Sequence, residues 1–478
     1  MDPQVIQSHF AAAAPGYDRW RQRNPFYHQD LIKLCRFYIP PGLRVLEIGA
    51  ATGHLLAALE PSLGVGIDWA EPMVTLAGKH YPQYHFYCLD ATTCSPLDLP
   101  ADQRQFDVIV LADVLGYITD IQQLLSNLQA FCQDHTRLLF TFHNFLWEPL
   151  LHLAERIGQR RPQPPQNWLS MQDTLNLLQI TGYIPVHRGQ RFLAPKRIPI
   201  LSEILNRWIA PLPLINHLCL TQYILARKTP TPRDPASLSC SIVVPARNEA
   251  GNIAPLVARC PMLGCRTELI FVEGHSRDRT WETIQAIKNK TPQSERFQIL
   301  TMQQKGIGKG DAVRLGFAEA TGDVLMILDA DLTVQPEDLV HFWDVIVSGR
   351  GEFINGSRLV YPHSQVAMPF INRLANKFFA FLFSYLLGRP IKDTLCGTKV
   401  LWKRDYERIA AGRAYFGDFD PFGDFDLLFG AARLGLHIVD LPVRYQPRQY
   451  GRSNIAHVKE GLILLKMCWF AAQKLKFY

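Results

Sequence analysis

Two aspartates close an apolar run: in LMILDADLTVQPEDLV, residues 325–340, Asp329 and Asp331 stand where a buried strand should end. Side chains two positions apart on an extended chain share a face, so the pair presents two carboxylates to one ligand. Leaving both buried and unpaired is costly, whereas a divalent cation compensates them and completes its shell with phosphate oxygens. The pair therefore predicts a metal-diphosphate site. Far upstream, RVLEIGAATGHLL, residues 44–56, reads as strand, glycine turn and helix. Gly49 and Gly53 let the backbone pass close to a ligand, and the helix start behind them favours an anionic group. Their spacing is not that of the GxGxxG dinucleotide fingerprint. The next strand, GVGID, ends in Asp68, a carboxylate suited to the hydroxyls of a ribose; YHFYCLD ends in Asp90, suited to an adenine amino group.

The elements that must hold these residues alternate in type. RVLEIG, GVGID, YHFYCLD, FDVIVLAD and RLLFTFH in the first half, and CSIVVPA, ELIFVEG, FQILTM and DVLMILDA in the second, are short β-rich runs separated by helical patterns. CSIVVPA is expected to break at Pro245. Such alternation predicts parallel sheets flanked by helices, with ligands at the carboxyl ends of the strands. A chain of 478 residues exceeds one core, and the Pro/Ser/Thr-rich ARKTPTPRDPASLS, residues 226–239, has no hydrophobic period. The expected division is a domain over 1–226, a linker over 227–238 and a domain over 239–478.

Hydrophobic residues at 47% against 19% charged exclude a disordered chain. Scattered basic residues with a net charge of +7 argue against a nucleic-acid partner. The ten cysteines form no CxxC pair, the pattern of free thiols in a reducing cytoplasm and not of zinc. The N-terminus lacks the features of a signal peptide, and no apolar run reaches the ~18 residues of a membrane span. A cytoplasmic protein is expected. Two amphipathic stretches, residues 370–388 and 461–478, suit either peripheral contact with the inner face of the cell membrane or a place as core or dimer helices.

Taken in order, VLEIGAATG, GIDWAEPMV, CLDATTCSPLDLP and FDVIVLADVLGYITD resemble the motifs of class I S-adenosylmethionine-dependent methyltransferases, over roughly residues 1–226. The resemblance implies that Glu47, Gly49 and Gly53 line the methionine side of S-adenosylmethionine, that Asp68 holds its ribose, and that Asp90 and Ala91 flank its adenine. Ala51 departs from a position where the family often has glycine. Asp113, Tyr117 and His143 follow later strands, and either face a methyl acceptor or serve as satisfied polar residues near the core.

Downstream, VVPARNE, VEGHSRD, GKGDAVRLGF, the Asp329/Asp331 pair, DTLCGTK, FGDFD and RQYGRSNI resemble family 2 glycosyltransferases of the GT-A fold. The likeness is closest to the branch of dolichol-phosphate mannosyltransferase and its bacterial polyprenyl-phosphate relatives, over about residues 239–478. It implies that Pro245, Ala246, Glu249, Glu273, Lys309 and Asp329 border a nucleotide-sugar donor, with Asp329 and Asp331 holding Mg2+ or Mn2+. Asp393, Asp424 and Asp426 would position or deprotonate the acceptor, and Arg448, Arg452 and Ser453 would close on phosphate. Asn454 stands where the family often has lysine.

The fold expected is α/β throughout, a Rossmann-like methyltransferase sheet followed by a GT-A fold. The function expected is a bifunctional transferase acting on a lipid-phosphate or glycan acceptor. Its alternative is an active glycosyltransferase whose N-terminal domain binds cofactor without turnover.

Overall fold

In the computed structural model, described for residues 2–361, 370–415, 423–448, 450 and 457–477, the chain forms two compact units, Met1–Thr229 and Pro230–Lys476. The first is built on a seven-stranded sheet: β1 (Arg44–Ile48), β2 (Leu63–Asp68), β3 (His85–Cys88), β4 (Phe106–Ala112), β5 (Cys132–His143), β6 (Tyr183–Arg191) and β7 (Thr221–Lys228), in the order β3-β2-β1-β4-β5-β7-β6. The strands from β3 to β5 are parallel, and β7 runs antiparallel between β5 and β6. Alternate residues feed two cores, with Leu46, Ile109 and Leu138 on one face and Val45, Val108 and Leu139 on the other. Strand order reverses between β1 and β4, so a crevice opens beyond their carboxyl ends. The helix Pro25–Tyr38 buries Leu31, Leu34 and Cys35 in the second core.

The second unit carries β8 (Ser239–Ala246), β9 (Arg266–Glu273), β10 (Phe297–Gln303), β11 (Val324–Ile327), β12 (Phe353–Ser357), β13 (Lys399–Trp402) and β14 (Ile438–Pro442), in the order β10-β9-β8-β11-β13-β12-β14. Only β13 is antiparallel to its neighbours. Pro245 does not break β8; it stays in register opposite Val272. Its backbone nitrogen faces the β11 side, as that of Val243 does, and the ladder to β11 has already ended at Val243 and Ile327, so the missing N–H leaves no partner unmet. Just before β8, Arg233 donates its backbone N–H to the Val347 carbonyl at 3.0 Å and lies 4.7 Å over the Trp402 ring, which ties this segment to the second unit.

The helices Phe370–Leu387 and His457–Leu475 pack together. Phe383 and Leu386 from one and Leu464 and Met467 from the other are buried, while Leu374, Phe381, Leu462 and Trp469 are exposed. Among the described residues, no helix is long and apolar enough to cross a membrane.

Candidate functional sites

A cavity of about 410 Å³ lies at the carboxyl ends of β1, β2 and β4, lined by Glu47, Gly49, Asp68, Asp90 and Ala91 among others. The turn after β1 is left-handed at Gly49 (φ +73°), Ala51 (φ +46°) and Gly53 (φ +76°). A Cβ on Gly49 would meet Val114 Cγ2 at 2.7 Å, and one on Gly53 would meet Phe86 Cζ at 2.6 Å, so the turn can be this tight only with glycine. Ala51 accepts the same geometry at a cost of roughly 1 kcal/mol, which is the physical sense of a glycine at that position. Its backbone N–H donates to Asp68 Oδ2 at 2.9 Å, while Ala70 N–H donates to Oδ1 at 3.0 Å. Burial raises the Asp68 carboxyl above its ordinary range, and these backbone bonds oppose the rise.

Glu47 is buried, accepts from the backbone N–H of Leu56 at 3.0 Å, and is pushed up to about 8 by burial. A backbone amide is a weak substitute for a cation, so a positively charged ligand group beside Glu47 would favour its ionised form. Asp90 is exposed and ties its own turn, its Oδ1 accepting from the N–H and hydroxyl of Thr92 at 2.8 and 2.7 Å; Ala91 behind it is buried.

Of the three later polar residues, two are brought together by a third that sequence spacing does not indicate. The Tyr27 hydroxyl, on the helix Pro25–Tyr38, donates to Asp113 Oδ2 and lies 3.3 Å from His143 Nε2. Asp113, at φ +55°, also accepts from the Thr141 hydroxyl at 2.8 Å. Burial lowers His143, keeping the imidazole neutral at ordinary pH, and presses neighbouring His28 down to about 4. Tyr117 stands apart, donating to Gln163 Oε1 at 3.0 Å.

In the second unit, Asp329 and Asp331 lie not on the strand but in the turn beyond it, because β11 ends at Ile327. Released from the pleat, they take different partners. Lys309 Nζ sits 2.6 Å from Asp329 Oδ1. Burial works against both charges, yet the pairing prevails: the Lys309 ammonium is held above its ordinary range and the Asp329 carboxyl below its own. Gly397 seals the contact, since a Cβ there would fall 2.0 Å from Asp329 Oδ2 and 2.2 Å from Lys309 Nζ.

Asp331 accepts from the N–H and hydroxyl of Thr333 at 3.0 and 2.7 Å, and Arg448 Nη2 lies 2.6 Å from its other oxygen. The same guanidinium reaches Glu249 Oε1 at 3.4 Å. Glu249 is pushed up to about 7, first by burial, with Asp331 adding to the rise and Asn252 and Arg448 opposing it. Around them, Ala246 is buried at the end of β8, its carbonyl accepting from Gly274 N–H at 2.9 Å, and Pro245 is half-buried beside it. Glu273 organises the turn after β9, accepting from Ser276 N–H at 2.6 Å and the Gln303 side chain at 3.0 Å.

The three acidic residues assigned to the acceptor are not gathered in one place. Asp393 is fully buried and doubly paired with Arg358, whose Nε and Nη2 donate at 2.7 and 2.9 Å; backbone N–H groups of Arg358 and Leu395 each add a bond at 3.0 Å. This carboxylate is committed to holding its loop. Asp426 faces away to Arg413, with Nε at 2.7 Å. Asp424 opens the helix Asp424–Arg433, where the preceding Gly423, at φ +75°, packs against Gly310, beside Lys309. Its buried Oδ1 has no hydrogen-bond partner among the described residues, and Lys399 Nζ lies 3.5 Å away. Arg452 and Ser453 lie outside the described residues.

Two α/β units, each with a polar site at the carboxyl ends of its strands, describe a protein built from two ligand-binding domains. Residues 17–187 match the family described as Methyltransferase domain, and residues 241–409 match Glycosyl transferase family 2. The chain thus carries a methyltransferase domain followed by a family 2 glycosyltransferase domain, the pairing its motifs suggest.

Among curated relatives, the dolichol-phosphate mannosyltransferase of Pyrococcus furiosus is 30% identical over 224 residues, covering 46% of this chain and 59% of the relative. Glycosyltransferase AglD of Haloferax volcanii is 25% identical over 255 residues, covering 50% and 39%. The chain therefore spans 59% or less of the length of these two. Similar solved structures include magnesium protoporphyrin IX methyltransferase from Synechocystis with bound SAH (16% identity, 48% of this chain and 100% of that one, TM-score 0.34). Another is glucosyl-3-phosphoglycerate synthase from Mycobacterium tuberculosis with Mn2+, UDP and glucosyl-3-phosphoglycerate (18% identity, 50% and 81%, TM-score 0.36).

Proposed function

We propose that the second unit transfers a sugar from a nucleotide-sugar donor to a lipid-phosphate acceptor with a divalent metal, and that the first transfers a methyl group from S-adenosylmethionine. The observation that carries the first half is the clustering of Glu249, Lys309, Asp329, Asp331 and Arg448 around one turn. Asp329 and Asp331 offer the oxygen donors a hard cation prefers. Among the described residues no three or more His, Cys, Asp or Glu side chains form a metal cage, so donor phosphates would complete the shell of Mg2+ or Mn2+. Such a metal neutralises charge on the departing nucleoside diphosphate.

Lys309 and Arg448 already sit against the two carboxylates and are placed to move onto phosphate oxygens. Asp424, whose Oδ1 has no hydrogen bond among the described residues and only the Lys399 ammonium 3.5 Å away, is the best placed of the three acids to orient or deprotonate the acceptor; Asp393 and Asp426 serve the scaffold. Relatives named for dolichol phosphate support a lipid-phosphate acceptor. The apolar outer faces of the paired helices support contact with a membrane surface. The test is transfer of labelled sugar from a panel of GDP- and UDP-sugars to a polyprenyl phosphate in vesicles. Transfer that a chelator abolishes and Mn2+ restores is the expected result; transfer only to soluble glycans overturns the lipid acceptor.

In the first unit, Glu47 fits the cationic end of S-adenosylmethionine, Asp68 the ribose, and Asp90 with Ala91 the adenine. The cofactor supplies a methyl group activated on a sulfonium. The Tyr27 hydroxyl is spent as a hydrogen-bond donor to Asp113, so His143 Nε2–H donates to the Tyr27 oxygen and Nδ1 is left as the basic nitrogen. His143 then removes a proton from the methyl acceptor. His143→Asn should lower kcat for labelled methyl transfer in cell extract by roughly 10²–10⁴ with S-adenosylhomocysteine affinity unchanged; an unchanged rate removes this role.

A further inference from the structure

The methyl-transfer reading leaves its acceptor unnamed, and one side chain of the cavity bears on it. Arg161 lines the cavity of the first unit. Its guanidinium lies 5.0 Å from the Tyr17 ring centroid and 5.4 Å from that of Phe10, and touches Gln163 Oε1 only at 3.4 Å. Its Nη1 is buried with no hydrogen-bond partner among the described residues. Of the other cations of the wall, Arg160 pairs with Glu155 at 2.5 Å and Lys196 with Asn24 at 3.1 Å; Arg21 pairs with Asp18 at 3.2 Å through Nη2, although its Nε is also buried without a hydrogen-bond partner among the described residues.

A buried donor left unmet is unfavourable, and a planar guanidinium fork matches phosphate or carboxylate. Burial pulls Arg161 below its ordinary range, with Tyr17 and Tyr117 opposing the fall and neighbouring Arg160 adding to it. Phe10 and Tyr117, edge to face at 5.1 Å, extend the aromatic wall beside it, a surface on which an apolar ring face can rest. The cofactor's ammonium and carboxylate end belongs by Glu47 and the glycine turn, and Arg21 is tied to that turn through Asp18, which accepts from the Thr52 hydroxyl at 2.8 Å, so the cofactor end falls to Arg21 and the acceptor to Arg161.

We propose that the methyl acceptor is an anionic hydroxyl compound with the chemistry of a sugar phosphate, its charge held by Arg161 and its hydroxyl presented to His143. This rests on the methyltransferase reading above. In the transfer the acceptor O–CH3 bond forms as the methyl–sulfur bond of S-adenosylmethionine breaks. The sulfur keeps the electron pair and leaves as a neutral thioether, and the hydroxyl proton passes to His143 Nδ1. A free sugar phosphate carries this chemistry, and so does the lipid-linked phosphosugar that the second unit is proposed to make.

The test is calorimetric titration of the full chain, loaded with S-adenosylhomocysteine and with EDTA present to silence the metal site. The probes are mannose 1-phosphate, neutral methyl mannoside and a short-chain polyprenyl phosphomannose. The phosphate probes are expected to bind at least tenfold more tightly than the neutral sugar, with Arg161→Gln erasing the difference and Arg161→Lys keeping part of it. Tighter binding of the lipid form than of mannose 1-phosphate identifies the lipid-linked source, and equal binding the free one. Equal affinity for charged and neutral probes overturns the inference while sparing the methyltransferase reading. So does an Arg161→Gln variant that loses S-adenosylhomocysteine instead, which would assign the guanidinium to the cofactor carboxylate. A wild-type chain that fails to bind S-adenosylhomocysteine removes both.

Discussion

Both units set carboxylates at the carboxyl ends of parallel strands, but they satisfy them with different partners. In the first, Glu47 and Asp68 accept from the backbone amides of Leu56, Ala51 and Ala70. In the second, Asp329 and Asp331 are held by Lys309 and Arg448. Backbone amides are fixed by the fold and cannot leave, so the first site is preformed for a ligand that adds to it. Long cationic side chains can swing away, so under the proposed function the second would exchange its internal cations for a metal and hand those cations to phosphates. The contrast also explains why burial leaves Glu47 raised to about 8 while Asp329 is lowered.

The strongest break of this contrast separates scaffold from site in the second unit. Asp393→Ala strands Arg358 in the interior, and loss of one partner of a buried pair is expected to cost about 3–5 kcal/mol. Chemical denaturation should show this in the second unit's transition alone. Next, Gly397→Ala drives a Cβ into the Lys309–Asp329 contact. Metal-dependent nucleotide binding should fall at least ~10-fold, about 1.4 kcal/mol, with S-adenosylhomocysteine binding intact; an unchanged nucleotide affinity would mean that the pair is not at the donor site.

Acidity sharpens the comparison further. The folded pKa of Glu47, about 8, lies above its ordinary 4.5. The stability it contributes is therefore fully present below pH 4.5 and is lost as pH rises through about 8. Glu47→Gln should flatten the first unit's unfolding free energy across that window, where the wild type is expected to lose at most about 1.4 kcal/mol per pH unit. A slope that survives the substitution would place the titration elsewhere. Ala51→Gly is the smallest step: relief of the left-handed alanine, largely offset by the unfolded-state entropy of glycine, should stabilise the first unit by at most about 0.6 kcal/mol.

Legibility in the sequence followed apolar continuity. β1, β2, β4, β8, β9 and β11 carry long apolar runs and are buried nearly end to end. β3 and β10 read as strands from their β-rich letters although little of them is buried, whereas β12, FINGS, and β13, KVLW, are buried throughout but too short and mixed in letters to stand out. β6, YIPVHRGQR, escaped as an edge strand with only two buried residues. β7 is not among the expected strands, and its last residues, Ala226 to Lys228, run straight into the Pro/Thr segment although Arg227 is buried in the sheet. At the sites, the acidic residues after strands were visible, since a carboxylate ending an apolar run is conspicuous. Tyr27 and Arg161 were not, because they arrive on elements outside the sheet and carry no positional signal of their own. Asp393 and Asp426 mark a limit of letters: an aspartate in a recognisable motif reads the same whether or not it is paired with an arginine, as these two are with Arg358 and Arg413.

The claim that the second site exchanges its cations for a metal-bound diphosphate is tested most directly by thermal stability of the full chain. UDP, GDP and dTDP would each be added with and without Mn2+, on wild type and Asp331→Asn. A nucleotide near 100 times its dissociation constant should stabilise the second unit by about 2.7 kcal/mol, only with metal, and only in the wild type. Stabilisation that is independent of Mn2+, or that survives Asp331→Asn, would contradict the account.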